Sequence, residues 1–163
     1  MKKNRLKSDA AAAFRNEQLD VDLTVELEGI EYDVNLAQLG RRMKIDPNQL
    51  KKEASEQPGL YVFVAGLAEE ASAAASRARR SLDLYRSTVA KRLRAGGGEK
   101  KIAQAHIEHL VDMDDGAQEL ADEYLEANRV AALLGAAKEA CRQRAGLIRE
   151  LMANERSEMA SGV

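Results

Sequence analysis

The sequence is poor in aromatic residues, although apolar residues are plentiful. Aromatic side chains make up 4% of its 163 residues, with no tryptophan, whereas hydrophobic residues reach 45%. Alanine supplies much of the difference, and because burial free energy scales with apolar area, an alanine core yields little per residue. Helices of this composition either pack very closely or gain buried area by associating with other chains. A homo-oligomer is therefore the first prediction.

Two further absences indicate the cellular compartment in which the protein is expected. A single cysteine, Cys141, cannot form an internal disulfide, which favours a reducing environment. The chain has no run of about 18 apolar residues, so we expect no membrane span, and its N-terminus has no apolar segment of the secretory type. Together these features predict a cytoplasmic protein.

Residues 20–36 alternate between apolar and polar side chains, as a half-buried β-strand does. The segment DVDLTVELEGIEYDVNL contains two such runs, separated by a two-residue turn at Glu28 and Gly29. Because a lone hairpin is marginal in water, its apolar face is expected to rest on a helix or on another chain. The opposite face is acidic. Pairing across the turn places on one face Leu27 with Ile30, Val25 with Tyr32, Leu23 with Val34, and Val21 with Leu36.

The chain beyond the hairpin has the three- and four-residue spacing of amphipathic helices. Asp46 followed by Pro47 is typical of a helix start, and Pro58 is interpreted as a second start. The long helix that follows ends at glycines 96–98. About 35 residues make a rod of about 50 Å, which indicates an elongated bundle. The seam, close to a coiled-coil repeat, consists of Leu60, Val64, Leu67, Ala71, Ala75, Ala78, Leu82, Tyr85, Val89 and Leu93.

A second helical arm returns after the glycines. Residues 100–115 are predicted to be helical, with Ile102, His106, Leu110 and Met113 on one side. The closing helix repeats the apolar spacing and is predicted to carry self-association. The residues assigned to that contact are Leu134, Ala145, Ile148 and Met152. The fold class is therefore mostly α: long, coiled-coil-like helices in a bundle, with one N-terminal β-hairpin.

Positive charge is concentrated in one segment of an acidic chain. Residues 76–101 hold nine basic residues against two acidic ones, a net charge of +7, whereas the whole chain carries −2. Arginine binds phosphate in a bidentate manner, and the segment has few acids for pairing along the helix. A polyanion-binding surface is one interpretation and a solvated helix face is the other, and charge alone favours neither. The basic residues are Arg77, Arg79, Arg80, Arg86, Lys91, Arg92, Arg94, Lys100 and Lys101.

The remaining reactive side chains do not form a recognisable catalytic set. His106, His109 and Asp112 would be the centre of a metal-dependent nuclease, but the spacing lacks a cysteine pair or an HExxH pattern. Cys141 falls on the apolar seam of the closing helix and is interpreted as a small core residue. Glycines 96–98 lack the continuation of a phosphate loop. We therefore predict no enzyme, no metal and no cofactor, with the nuclease as the least favoured alternative.

Two stretches resemble the UvsY-like recombination mediators of tailed phages. The arginine-rich helix with LDLY at residues 82–85 is similar to the family's basic helix, where cations just before this element are implied in binding single-stranded DNA. Arg79 takes that cationic position, whereas the family's second cation falls on Ser81, beside Arg80. The similarity covers about residues 36–152. In IDPNQLKKEASEQPGLYVFV the matching residues are Ile45, Asp46, Leu50, Glu53, Ala54, Pro58 and Tyr61.

The resemblance implies a non-enzymatic homo-oligomer, in the form of a ring. Such a protein would bind single-stranded DNA and help to load a RecA-type recombinase onto DNA covered by single-strand binding protein, in the host cytoplasm if a phage encodes it. The alternative is a coiled-coil scaffold protein whose basic helix docks an acidic partner. The hairpin lies outside the family pattern.

The predicted organisation has four parts. Residues 1–19 form a mobile basic tail with room for a short helix, and residues 20–36 form the hairpin. Residues 37–157 form the helical domain for DNA binding and oligomerisation, and residues 158–163 form a frayed end.

Overall fold

The computed structural model describes residues 22–27, 29–96 and 103–162. The predicted tail, Lys100, Lys101 and Ile102 lie outside these ranges. A mostly α fold with long helices and one N-terminal hairpin is confirmed. In chain order the elements are β1 Asp22–Leu27, β2 Ile30–Asn35, α1 Leu36–Arg42, a 3₁₀ turn Pro47–Gln49, α2 Leu50–Gly96, α3 Gln104–Asp112 and α4 Asp115–Ser161.

The hairpin has the predicted register. Leu23 pairs with Val34, Val25 with Tyr32, and Leu27 with Ile30. Gly29 in the turn has a φ of 80°, which glycine adopts without strain. The apolar face packs against helix residues of the same chain in one buried cluster, as expected. The fourth predicted pair involves Val21, which lies outside the described residues, and its partner Leu36 begins α1.

The two long helices, α2 and α4, pack against each other along most of their length. Each contains 47 residues, and each is therefore about 70 Å long. Every residue of the seam predicted for α2 is buried or half-buried, so the seam is confirmed. Val64 and Leu67 of α2 share a cluster with Leu134 and Cys141 of α4, and all four are fully buried. Small alanines beside them, such as Ala71, allow the helix axes to approach closely.

The interpretation of Pro58 as a helix start is wrong. Helix α2 begins at Leu50 directly after the 3₁₀ turn, and Pro58 lies inside it. Proline lacks the N–H that would bond to the carbonyl four residues earlier, but the turns on both sides are held by packing against α4. The start at Asp46 is confirmed in part, because its side chain accepts a hydrogen bond from the Asn48 N–H at 2.9 Å and caps the 3₁₀ turn.

The face predicted for the short helix is also wrong. Helix α3 packs against the far end of α2 through Ile107 and Val111, which cluster with Val89. His106 and Met113 are exposed. The four-residue step from Ile107 to Val111 offers two branched apolar side chains to α2, whereas the predicted face would have buried a histidine.

The end of α4 extends beyond the predicted boundary at residue 157. The helix continues to Ser161, and Gly162 follows in the left-handed conformation that commonly ends helices. Arg144 of α4 contacts Glu53, near the start of α2 at Leu50. Helix α4 therefore projects past the beginning of α2, and all side chains from 153 to 161 are exposed.

Candidate nucleic-acid interface

The C-terminal half of α2 carries the basic segment as an exposed, continuous helix. Leu82 and Val89 are buried and Tyr85 is half-buried, which fixes the direction of the seam. Seven of the nine predicted basic residues lie on this helix, and all seven are exposed. Between Arg77 and Arg94 the helix rises about 26 Å. Within residues 76–96 these cations stand beside a single acid, Asp83.

The positions of the cations around the helix follow from about 100° per residue. Arg80 and Lys91 project almost opposite the buried seam. Arg77 and Arg94 lie within about 60° of that direction, on either side. Arg79 and Arg86 lie on the flank that faces α3, and Arg92 on the other flank. The outward face therefore presents four cations, with two more on the flank that faces α3 and one on the other flank.

The basic residues differ in how far neighbouring acids neutralise them. Arg77 pairs with Glu70 at 2.8 Å and Arg86 with Asp112 of α3 at 3.1 Å, while Arg79 approaches Asp83 at 3.9 Å. The other four form no salt bridge with any residue that the structure describes. Arg94 donates a hydrogen bond to the neutral side chain of Gln104 at 2.9 Å, which leaves Arg80, Lys91 and Arg92. These three are thus the charges most available to an anion, because no side chain has to be displaced from them. The exposed pairs of the other cations are weak and would add only a small cost.

The end of α2 that carries the cations is held against the start of α4 by Tyr85, on its inward side. Tyr85 hydrogen-bonds Asp114, and this bond raises the pKa of the phenol, with burial and the charge of Asp114 as further causes. Asp114 also caps α4 by accepting from the Ala117 N–H at 3.1 Å. Because its ring is held in this contact, Tyr85 is not free to stack on a base. The face offers charge without an aromatic platform, which favours contacts to a nucleic-acid backbone.

Two crystal structures of the bacteriophage T4 recombination mediator protein UvsY, in two lattice types, share this architecture. They align with TM-scores of 0.62 and 0.61, at 15% and 14% sequence identity. The alignments cover 74% of this chain, and 93% and 96% of those chains. The chain has a UvsY-like fold. No protein-family model matches it, and no curated protein does either.

This chain contains a buried polar cluster that the sequence analysis did not predict. Arg144 of α4 is only 6% exposed. Its guanidinium donates to the Met43 carbonyl at 3.2 Å and to the side chains of Gln57 and Glu53. Gln57 in turn donates to the Cys141 carbonyl at 2.7 Å. The cluster joins both long helices to the segment that follows α1.

The spacing of the apolar residues in α4 did indicate that Arg144 lies on the buried face of the helix. It lies three residues after Cys141 and four before Ile148, both of which are buried. This is the inward face of the helix, where a charged side chain needs partners. The sequence offers no sign of which residues those partners are, because Glu53 and Gln57 are about 90 positions away along the chain.

The four residues assigned to self-association lie on the inward side of α4 in this UvsY-like fold. Leu134 is fully buried and Ile148 is 2% exposed, while Ala145 and Met152 are half-buried. A second copy could not reach Leu134 or Ile148 without opening the chain's own core. Leu147 and Leu151 of the same helix are exposed, at 52% and 36%. They offer an apolar surface where the predicted residues do not.

The side chains considered for other chemistry are dispersed. His106 and His109 are both exposed on α3, and within the described ranges no three potential ligands converge on a metal-sized site. Cys141 is fully buried, and burial raises the pKa of its thiol.

None of the helices in the described residues combines the length and the apolar character needed to cross a membrane.

Proposed function

We propose that this protein is a recombination mediator that binds single-stranded DNA through the exposed basic face of α2. The observation that carries the proposal is the set Arg80, Lys91 and Arg92, exposed and without salt bridges to described residues, on a braced helix. The fold is shared with the T4 recombination mediator protein UvsY, which supports the same role here.

The basic face would bind phosphates rather than bases. Its cations extend over about 26 Å of helix, and Tyr85, the nearest aromatic residue, is engaged with Asp114. Binding driven by the backbone is almost independent of sequence and falls with salt, at a slope of about −0.7 per phosphate neutralised on a single strand. Three to five contacts would give a slope of about −2 to −3.5 for each subunit engaged.

The mediator acts as a homo-oligomer, in ring form, whose partners are a RecA-type recombinase and single-strand binding protein. The support is the shared fold together with the unpaired apolar surface at Leu147 and Leu151. Repeating the basic face around a ring would place several weak contacts on one strand, and linked weak contacts bind far more tightly than one alone. Such an assembly could hold DNA while a recombinase replaces the single-strand binding protein. This role needs no catalytic group.

One observation favours the alternative, a scaffold protein that docks an acidic partner. Leu84 lies on the outward half of α2 among the cations and is 69% exposed. An apolar side chain within a basic face is more typical of a protein interface than of a phosphate contact. An acidic protein partner would use Leu84 and the cations together, whereas DNA would use the cations alone.

The test is a titration of labelled oligothymidylate with the full-length protein at several salt concentrations. The variant R80Q/K91Q/R92Q should bind at least about tenfold more weakly at low salt, with a salt slope flatter by about 2. The control K51Q/K52Q/R156Q removes the same charge from exposed positions at the other end of the molecule and should bind normally. Leu84→Ala should leave DNA binding unchanged.

Three results would contradict this assignment. If R80Q/K91Q/R92Q binds DNA with wild-type affinity, DNA does not bind at this face. If both triple variants lose the same affinity, the loss reflects the net charge of the protein and not a specific site. The third result concerns recombinase assembly on DNA covered by single-strand binding protein. If Leu84→Ala abolishes this assembly while it still binds DNA, and the triple variant of α2 does not abolish it, the face docks a protein.

A further inference from the structure

A groove of about 800 Å³ lies beside the hairpin, between β1, α2 and α4. The sheet residues that line it all belong to β1, and none belongs to β2. The groove therefore follows the edge of the two-stranded sheet that β2 leaves open. In an antiparallel pair, alternate residues turn their backbone N–H and C=O groups away from the partner strand. Such groups on β1 form an edge that can accept an added strand.

The groove has an apolar floor and acidic walls. Its floor is formed by small and branched residues of all three elements, including Val25, Ala74 and Val130. Six acids and one cation line the walls. The acids are Asp22, Glu26, Glu70, Asp122, Glu123 and Glu126, and the cation is Arg77.

Four of the six acids carry no salt bridge to any described residue. Glu70 is paired with Arg77 of the groove itself, and Glu126 with Arg129. Asp22 accepts a hydrogen bond from the neutral amide of Asn35 at 2.8 Å, which leaves its charge uncompensated. With Glu26, Asp122 and Glu123, it gives the groove a negative potential directly beside the open strand edge. Its occupant should therefore be an extended, basic segment with an apolar side chain.

The chain contains such a segment. Residues 2–7 read KKNRLK, with four cations and one leucine, which matches the four uncompensated acids. In an extended strand Leu6 points to one side and Lys3, Arg5 and Lys7 to the other. We propose that this groove binds residues 2–7 of the same chain as a third strand on β1, with Leu6 on the apolar floor. This inference is independent of the proposed DNA binding.

The connecting segment is long enough. Residues 8–21 can span up to about 46 Å when extended, whereas β1, with six residues, is only about 20 Å long. The chain can therefore turn back and lie along β1 in either direction. A tether of this length also gives a local concentration on the order of millimolar, so weak intrinsic binding is enough to fill the groove.

The test is zero-length carbodiimide crosslinking of the full-length protein, with the products mapped by mass spectrometry. Amide bonds should join Lys2, Lys3 or Lys7 to Glu26, Asp122 or Glu123. The measurement uses an equal mixture of ¹⁴N- and ¹⁵N-labelled protein, so that bonds within one chain and between chains have different masses. The proposal would be overturned if crosslinks formed only with exposed acids outside the groove. It would also be overturned if crosslinks to the groove formed only between differently labelled chains.

A second measurement checks that the acids hold the segment. Trypsin cleavage after Arg5 and Lys7, followed by intact mass, should be several-fold faster in E26Q/D122N/E123Q than in the wild type. The control E150Q/E155Q/E158Q removes the same charge from exposed positions of α4 outside the groove and should be cleaved at the wild-type rate. Equal cleavage rates in all three proteins would overturn the proposal.

Discussion

The phenol of Tyr85 in α2 occupies the space beside Gly116 that a side chain at position 116 would need. A Cβ atom on residue 116 would lie 2.7 Å from the ring carbon Cζ and closer still to the hydroxyl. The close approach is needed because Tyr85 also hydrogen-bonds Asp114, at the start of α4. Position 116 therefore requires glycine because of a neighbour, although its backbone is helical.

Gly116→Ala should destabilise the protein. Alanine favours a helix by up to about 1 kcal/mol over glycine, but the displaced Tyr85 ring should cost about 1–3 kcal/mol through overpacking and a weakened hydrogen bond. Urea unfolding followed by circular dichroism measures the difference. The matched control is Gly135→Ala in the same helix, where nothing lies within 4 Å of the added atom and stability should rise. Equal gains from both changes would disprove the close contact.

The same relationship shows where sequence reasoning reaches its limit. The seam of α2 and the register of the hairpin could be predicted because each depends on spacing within one continuous segment. The need for glycine at position 116 could not be predicted in this way, because it comes from Tyr85, a residue of another helix. The partners of Arg144 were hidden for the same reason. Pro58 was misjudged because a local signal was outweighed by packing against α4.

The basic segment shows a different limit. Its charge could be counted from the sequence, and its placement outside the seam followed from helical spacing. The sequence could not tell that Glu70 and Asp112 would neutralise Arg77 and Arg86, since neither acid lies within four residues of its partner. The choice of Arg80, Lys91 and Arg92 as the available cations required the tertiary structure.

Tyr85 should ionise at a higher pH than an ordinary tyrosine. Its pKa is raised above the usual value of about 10, first by the hydrogen bond to Asp114. Because the raised pKa favours the neutral phenol in the folded state, this contact stabilises the protein fully below pH 10 and is lost as the pH rises through the folded pKa. Absorbance at 295 nm should show a late phenolate transition that disappears in Tyr85→Phe.

The variant Asp114→Asn separates two roles of Asp114: the effect of its charge on the pKa of Tyr85, and the capping of α4. Asparagine caps a helix about as well as aspartate does, so α4 should begin at the same place. The pKa of Tyr85 should nevertheless fall toward its ordinary value, because the carboxylate that favours the neutral phenol is gone. An unchanged late transition in Asp114→Asn would show that Asp114 is not the cause of the shift.

Arg144→Met should destabilise the protein strongly. The guanidinium is buried, and its removal leaves Glu53, 17% exposed at its side chain, without a counter-charge. Breaking one side of such a pair costs about 3–5 kcal/mol, measurable by urea unfolding. Adding Glu53→Gln should recover part of the loss, because it removes the isolated carboxylate. The control is Arg142→Met, which breaks an exposed pair with Glu139 and should lower the free energy of unfolding by less than about 1 kcal/mol. Equal losses of stability in Arg144→Met and Arg142→Met would contradict a structural role for the buried cluster.

The purified protein should sediment at several times 17.9 kDa, and the contact should involve Leu147 and Leu151. These two side chains are exposed and lie four residues apart on α4, beside the part of the helix that projects past α2. L147E/L151E should therefore give a monomer with unchanged helix content, because no core residue is altered. Leu134→Ala should instead lower stability by about 2–5 kcal/mol and leave the mass unchanged, since Leu134 is fully buried within the chain. A wild-type monomer at micromolar concentration, or dissociation by Leu134→Ala without loss of stability, would contradict this arrangement.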